Sequence, residues 1–477
     1  MKNDNKQKFG LIAACIVAFA VMAFAVPDFL NYDIGYKNAQ IAQSVTDQPI
    51  SEDLKETEFT LPVLYIKCSD IKTLMDKKLD NRPQVSADIY VLDRNVNRIT
   101  DIPTHVYKNT MMSLRGNSTA LYQPKKSFNV DFVKEDGTSL NLPFLGMPAE
   151  SDFVLYAPYL DRSLIRNYMG YTLQGMVQEW APECVFVELF LDKPDTDLSF
   201  KDYQGVYMAT ENFKRGVNRI NVGNFTVADN PERQFEEGGG YIYNLDWYNP
   251  LRDNVTRLDE NKHGNTYNLV YPKPQAMTDE YERIVFNEIE LYEDALYNGT
   301  DEELAKYFDI EEIARNMLVS EFLKCHEAYS ASTFFYRKPG GKIKVVQWDF
   351  DLGTGNISSV LYQEPSREDF WVLSHWPMPQ AFLKHKNFQQ IMIQQWEILR
   401  RNELSEENII KMLDELEILL ADAGKRNDMI FPDAFYAPQF AIWENNLESS
   451  QEERRFVKEF LIERGRWLDE HIYDLKK

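Results

Sequence analysis

Trp348-Asp349-Phe350-Asp351-Leu352-Gly353 closes an apolar run in the C-terminal half of the chain with two carboxylates one residue apart. In a strand, side chains at i and i+2 project to the same face, so the spacing predicts two acids pointing together. Like charges that close repel unless a cation or a proton lies between them. Oxygen-only donors suit a hard divalent ion of the kind that accompanies phosphate, which makes Asp349 and Asp351 the candidate metal ligands. Upstream, Cys325-His326-Glu327-Ala328 supplies a third acid, Glu327, as the candidate for accepting or orienting a hydroxyl proton.

The elements that must position these acids can be read from the residue pattern. Thr333-Phe334-Phe335-Tyr336-Arg337 and Ile343-Lys344-Val345-Val346, joined through Pro339-Gly340-Gly341, predict a β-hairpin between Glu327 and the acid pair. Helical periodicity surrounds it from about Met277 onward, with apolar residues at three- and four-residue spacing over 380–399, 405–423 and 452–475. Thr300-x-x-Glu303 and Ser450-x-x-Glu453 predict capping boxes. The N-terminal half is different. Short β-branched and aromatic runs at 61–66, 87–92, 112–115, 126–132, 185–191, 205–208 and 241–245 predict strands, interrupted by one helix over 163–180 with Asp161 as its cap. Gly238-Gly239-Gly240 is not followed by a helix start and reads as a flexible strand entry rather than a phosphate loop. The expected fold class is α+β, β-rich over 59–275 and mainly helical over 276–477, the helical part carrying the hairpin.

The chain has 477 residues, 44% hydrophobic and 13% aromatic, enough for a substantial core. A net charge of −23 argues against nucleic acid as a partner, while leaving room for a local basic pocket that holds a nucleotide. Cys68, Cys184 and Cys325 show no C-x-x-C spacing, so neither a zinc site nor a disulfide framework is expected. Lys2, Lys6 and Lys8 precede an apolar stretch over 9–26. Residues 1–30 therefore predict a single-pass membrane anchor with the C-terminal domain on the extracytoplasmic side. A cleaved signal ending near Ala23-Phe24-Ala25 and lipidation at Cys15 are the competing readings. Residues 31–58 read as a polar linker.

An acid, a hairpin and an Asp-x-Gly turn in that order form the layout of a kinase catalytic loop and metal loop. The chain resembles the spore-coat-protein-H-like (CotH) kinases from about Leu61 to the C-terminal helices. The resemblance rests on Leu114-Arg115-Gly116-Asn117-Ser118, Lys125-Lys126-Ser127-Phe128 and Asp161-Arg162-Ser163-Leu164-Ile165-Arg166-Asn167. Gly205-Val206-Tyr207 with Glu211, Gly239-Gly240-Tyr241 with Asp246, and the Trp348–Gly353 segment complete it. It implies an atypical protein-kinase-like, two-lobed fold that uses ATP with Mg2+ or Mn2+ to phosphorylate a protein substrate, spore-coat or envelope proteins among them. By position, Asp349 and Asp351 match the metal-binding acids. Lys126, with Lys125 beside it, matches a lysine pair that neutralises nucleotide phosphates, and Glu211 matches a glutamate that orients a lysine or joins the metal site. Arg115, Arg166 and Asn167 are implied phosphate or scaffold contacts. Glu327 departs from the family, which commonly has Asp there; the extra methylene displaces the carboxylate by about 1 Å. A catalytically degraded surface or spore-coat scaffold is therefore the alternative. A D-x-D glycosyltransferase is a third reading, against which the upstream strand pattern argues.

Overall fold

The computed structural model describes residues 53–76, 82–229, 233–248, 253–356, 369–435 and 447–476. The expected anchor, and all but the last residues of the expected linker, lie outside them. Among the described residues no helix is long and apolar enough to cross a membrane.

The N-terminal strands are β1 (Val63–Cys68), β2 (Val85–Leu92), β3 (His105–Arg115), β4 (Ser127–Asp131), β5 (Leu142–Phe144), β6 (Met147–Glu150), β7 (Asp152–Tyr156), β8 (Cys184–Asp192) and β9 (Tyr203–Glu211). Seven of them close a barrel in the order β1-β2-β3-β4-β7-β9-β8, in which β1 and β8 pair in parallel and the other neighbours antiparallel. Closure leaves no free edge and follows from alternation. Val85, Ala87, Ile89 and Val91 of β2 point inward to meet Phe128, Val130, Phe153, Leu155 and Leu189 in one buried cluster.

A second sheet contains β10 (Tyr241–Leu245), β11 (Thr256–Arg257), β12 (Asn268–Tyr271), β13 (Thr333–Arg337) and β14 (Ile343–Gln347), in the order β11-β12-β10-β13-β14. The expected hairpin is β13 and β14. Its pairing with β10 joins the β-rich part to the helical part, because strands from both sides of residue 275 share one sheet. An isolated two-stranded hairpin cannot bury enough apolar surface, and here β10 and β12 supply the missing strands. The longer helices among the described residues are Arg166–Val177, Asp279–Asn298, Ile310–Phe322, Lys386–Arg401, Glu406–Ile430 and Ser450–His471. They contribute most of the largest buried cluster, centred on residues such as Phe322, Trp396, Leu420 and Val457.

Three local expectations are corrected. The helix expected from 163 begins at Arg166, and Asp161 serves the turn before it, accepting from the backbone N–H of Ser163 (3.1 Å) and of Arg166 (2.8 Å). A capping box forms at Thr300 and Glu303, but the last helix is capped one residue earlier than expected, by Ser449, whose Oγ accepts from Glu452 N–H at 3.2 Å. Glu453 is thereby turned into the interior. Gly239 and Gly240 mark close approach rather than flexibility: a Cβ on Gly239 would lie 2.2 Å from Thr226 N, and one on Gly240 2.3 Å from Val222 O.

Candidate functional site

The register Leu245↔Thr333↔Gln347 brings the ends of β10, β13 and β14 to one edge of the second sheet. Just beyond those ends lie Asp246, the loop carrying Glu327, and Trp348-Asp349; Trp348 N–H donates to Ser332 O at 2.8 Å. β14 stops at Gln347, so the acid pair sits in a loop, not in the strand its spacing suggested. Asp349 instead has left-handed backbone geometry, φ 62°, which Asp tolerates better than most residues. Five of the nine described non-glycine residues with positive φ fall in this neighbourhood: Lys324, Tyr329, Ser332, Asp349 and Thr354. Backbone of this kind persists only where its surroundings over-determine it.

The surroundings do so at almost every residue of the loop. Asn167 Oδ1 accepts from Phe350 N–H (2.5 Å), and Cys325 Sγ donates to Asp349 O (3.3 Å). Arg166 donates through Nε to Gly353 O and through Nη2 to Thr354 O, both at 3.1 Å. Asn356 Nδ2 donates to Asp351 O (2.6 Å) and Leu160 O (3.0 Å), while Thr354 N–H reaches Leu323 O (2.7 Å). Asp161 Oδ1 accepts from Arg166 Nη1 at 2.7 Å and fixes that guanidinium. Of the two roles implied for Arg166 and Asn167, these contacts are the scaffold one.

Glu327, Asp349 and Asp246 are half-buried, and Asp351 is buried with 8% exposure. Burial first, then the charges of Asp351 and Asp246, raise the Glu327 carboxyl to about 8. Burial, then Glu327 and Asp246, raise Asp349 to about 7, against the pull of Arg115 and Asn167. Asp351 is driven well above the carboxylate range by burial and by Asp349 and Asp161, although the Tyr156 hydroxyl donates to it at 3.1 Å. Burial and mutual repulsion therefore favour the protonated forms of the cluster, and a bound cation would replace those protons.

The donor set fits a hard ion. Asn167 is 2% exposed; its amide favours the ionised form of Asp349, yet Nδ2 meets no acceptor within hydrogen-bond geometry. Among the described residues no group of three His, Cys, Asp or Glu side chains is placed to hold a metal ion. Mg2+ is commonly held by one or two carboxylates together with waters and phosphate oxygens, and Asp349 and Asp351 are the carboxylates that would serve.

Arg115 joins this site, its guanidinium 5.3 Å over the Trp348 ring and its Nη1 donating to Asn129 Oδ1 at 3.0 Å. Lys125 and Lys126 do not present the open ammonium groups implied for phosphates. Lys125 Nζ is buried and donates to Val206 O (2.5 Å) and Asn427 Oδ1 (2.7 Å), and burial holds it well below the usual lysine range. Lys126 Nζ donates to Ala120 O (2.7 Å) and Gln123 O, bracing the turn after Gly116. Glu211 accepts from Glu183 N–H (3.0 Å) and lies 3.6 Å from Arg219, and burial raises it to about 7. His326 is buried and structural, its pKa lowered to about 3 mainly by burial. Cys68, Cys184 and Cys325 are free thiols. Tyr156 is a residue that sequence reasoning passed over. Asp246 was singled out only as a marker of the family resemblance and was assigned no role in the site.

The molecule is thus an α+β protein with an acidic, oxygen-rich site carried on braced loops at a sheet edge. The model of the CotH kinase protein family matches residues 112–468, more than half of the sequence, and the chain belongs to that family. No curated relative matches it.

Proposed function

We propose that this protein is an atypical protein kinase with a two-lobed, kinase-like arrangement, transferring phosphate from ATP to a hydroxyl of a protein substrate on the extracytoplasmic side of a membrane. The observation that supports this reading is the mutual charge influence of Glu327, Asp349 and Asp351, with Asp246, beside a loop braced by Arg166, Asn167 and Asn356. Mg2+ or Mn2+, when bound, supplies charge neutralisation for the phosphates. Asp349 and Asp351 would hold it, with the strained loop geometry fixing their carboxylates. Glu327, ionised once a cation is bound, orients the acceptor hydroxyl and takes its proton on a carboxylate oxygen. Arg115, over the Trp348 ring, acts on Asp349 and is assigned to the phosphates.

Incubation of the full chain with labelled ATP and Mg2+ or Mn2+ tests this. Label transfer that is lost in both Asp349→Ala and Asp351→Ala is expected; absence of any nucleotide-dependent thermal shift with either metal would sink it. The engagement of Lys125 and Lys126 by carbonyl groups favours a second reading, a scaffold that keeps the fold without transferring phosphate. Glu327→Asp separates the two, because a kinase changes rate and a scaffold stays inert.

A further inference from the structure

We propose that Glu453, on the C-terminal helix, is a positioning residue for the Asp349–Asp351 loop, acting through Arg166. This rests on the metal-loop reading above. Glu453 sits in the first turn of helix Ser450–His471, far along the chain from the loop. Its carboxylate pairs with Arg162 and, at 3.3 Å, with Arg166 Nη2, and the three side chains are at most 1% exposed. The same Nη2 donates to Thr354 O, Nε donates to Gly353 O, and Nη1 is held by Asp161 at 2.7 Å. One guanidinium is therefore clamped between two buried carboxylates, and its remaining donors hold the backbone where Thr354 is left-handed at φ 50°. Asp161 and Glu453 balance Arg162 and Arg166 in charge. Without the Glu453 charge, Nη2 loses the partner that orients it, and the grip on Thr354 O loosens.

The test compares Glu453→Gln with Glu417→Gln in the full chain. Glu417, on helix Glu406–Ile430, pairs at 2.6 Å with Arg454, the residue after Glu453, and makes no hydrogen bond or ion pair to the loop among the described residues, so it reports the cost of losing an ion pair to that helix alone. The amides of Phe350, Gly353, Thr354 and Asn356 are all hydrogen-bonded, so slow exchange is expected in the intact loop. Hydrogen exchange followed by mass spectrometry is expected to show them exchanging at least tenfold faster in E453Q, at a temperature where the fold is intact, and unchanged in E417Q. Mn2+ binding, read from the paramagnetic resonance of free Mn2+, is expected to weaken about tenfold in E453Q only. Wild-type protection of these four amides in E453Q would overturn the proposal, as would equal loss in both variants. If wild-type protein binds no Mn2+, the metal reading of the loop fails, while the exchange measurement still decides the role of Glu453.

Discussion

Deprotonating Glu327 and Asp349 in the metal-free protein works against folding. Their unfolded values are near 4, and in the folded chain they rise to about 8 and about 7. The folded state binds these protons more tightly, so the stability they contribute is complete below about pH 4 and is lost as pH rises through 7 and 8. Thermal melts in chelator are expected to fall between pH 6 and 9, by on the order of 2 kcal/mol after allowance for partial exposure, and saturating Mn2+ should restore the loss. Asp351→Asn removes a carboxyl that burial, Asp349 and Asp161 hold well above its ordinary range. It is expected to raise the metal-free melting point, a gain of about 1 kcal/mol or more, while abolishing the metal-induced shift. A melting point that falls in chelator would show that Asp351 is a structural acid.

At the scale of elements, the barrel and helix Glu406–Ile430 are fastened by two neighbouring residues. Arg426 makes a two-pronged ion pair with Glu188 (2.8 and 2.7 Å) and lies over Phe59, while Asn427 receives Lys125 and Val206 N–H. Arg426→Ala leaves Glu188 buried without its cation and is expected to cost about 3–5 kcal/mol in urea unfolding. Lys125→Met should cost about 1–3 kcal/mol by leaving Val206 O unsatisfied, with nucleotide affinity unchanged. A selective loss of nucleotide affinity in that variant would return Lys125 to the phosphates. The hairpin, most strands and the Thr300 cap were legible because alternation, turn residues and capping spacing are local. Ser450-x-x-Glu453 misled because Ser449 competes for the same cap, and only the buried Arg162 and Arg166 decide between the two.

At the scale of the whole molecule, the sheet β11-β12-β10-β13-β14 joins the two halves that composition separates. Residues 53–275 alone would leave an open edge on β10 where β13 belongs. They are expected to be insoluble or aggregated when expressed by themselves, whereas co-expression with 276–477 recovers soluble protein. A monomeric, cooperatively melting 53–275 fragment would refute that dependence.

The sequence by itself determined the residue types: the acid pair, the preceding Glu327, the hairpin between them, and an order of motifs that identifies the family. It did so because spacing and alternation are properties of neighbouring residues. Tertiary structure alone decided what those residues face. It put Asp349 in a strained loop, brought Asp246 to it across two strand pairings, committed Lys125 and Lys126 to carbonyl groups, and set Glu453 beside Arg166. Each of these depends on a partner distant in sequence, where burial and charge balance rather than local pattern select the contact.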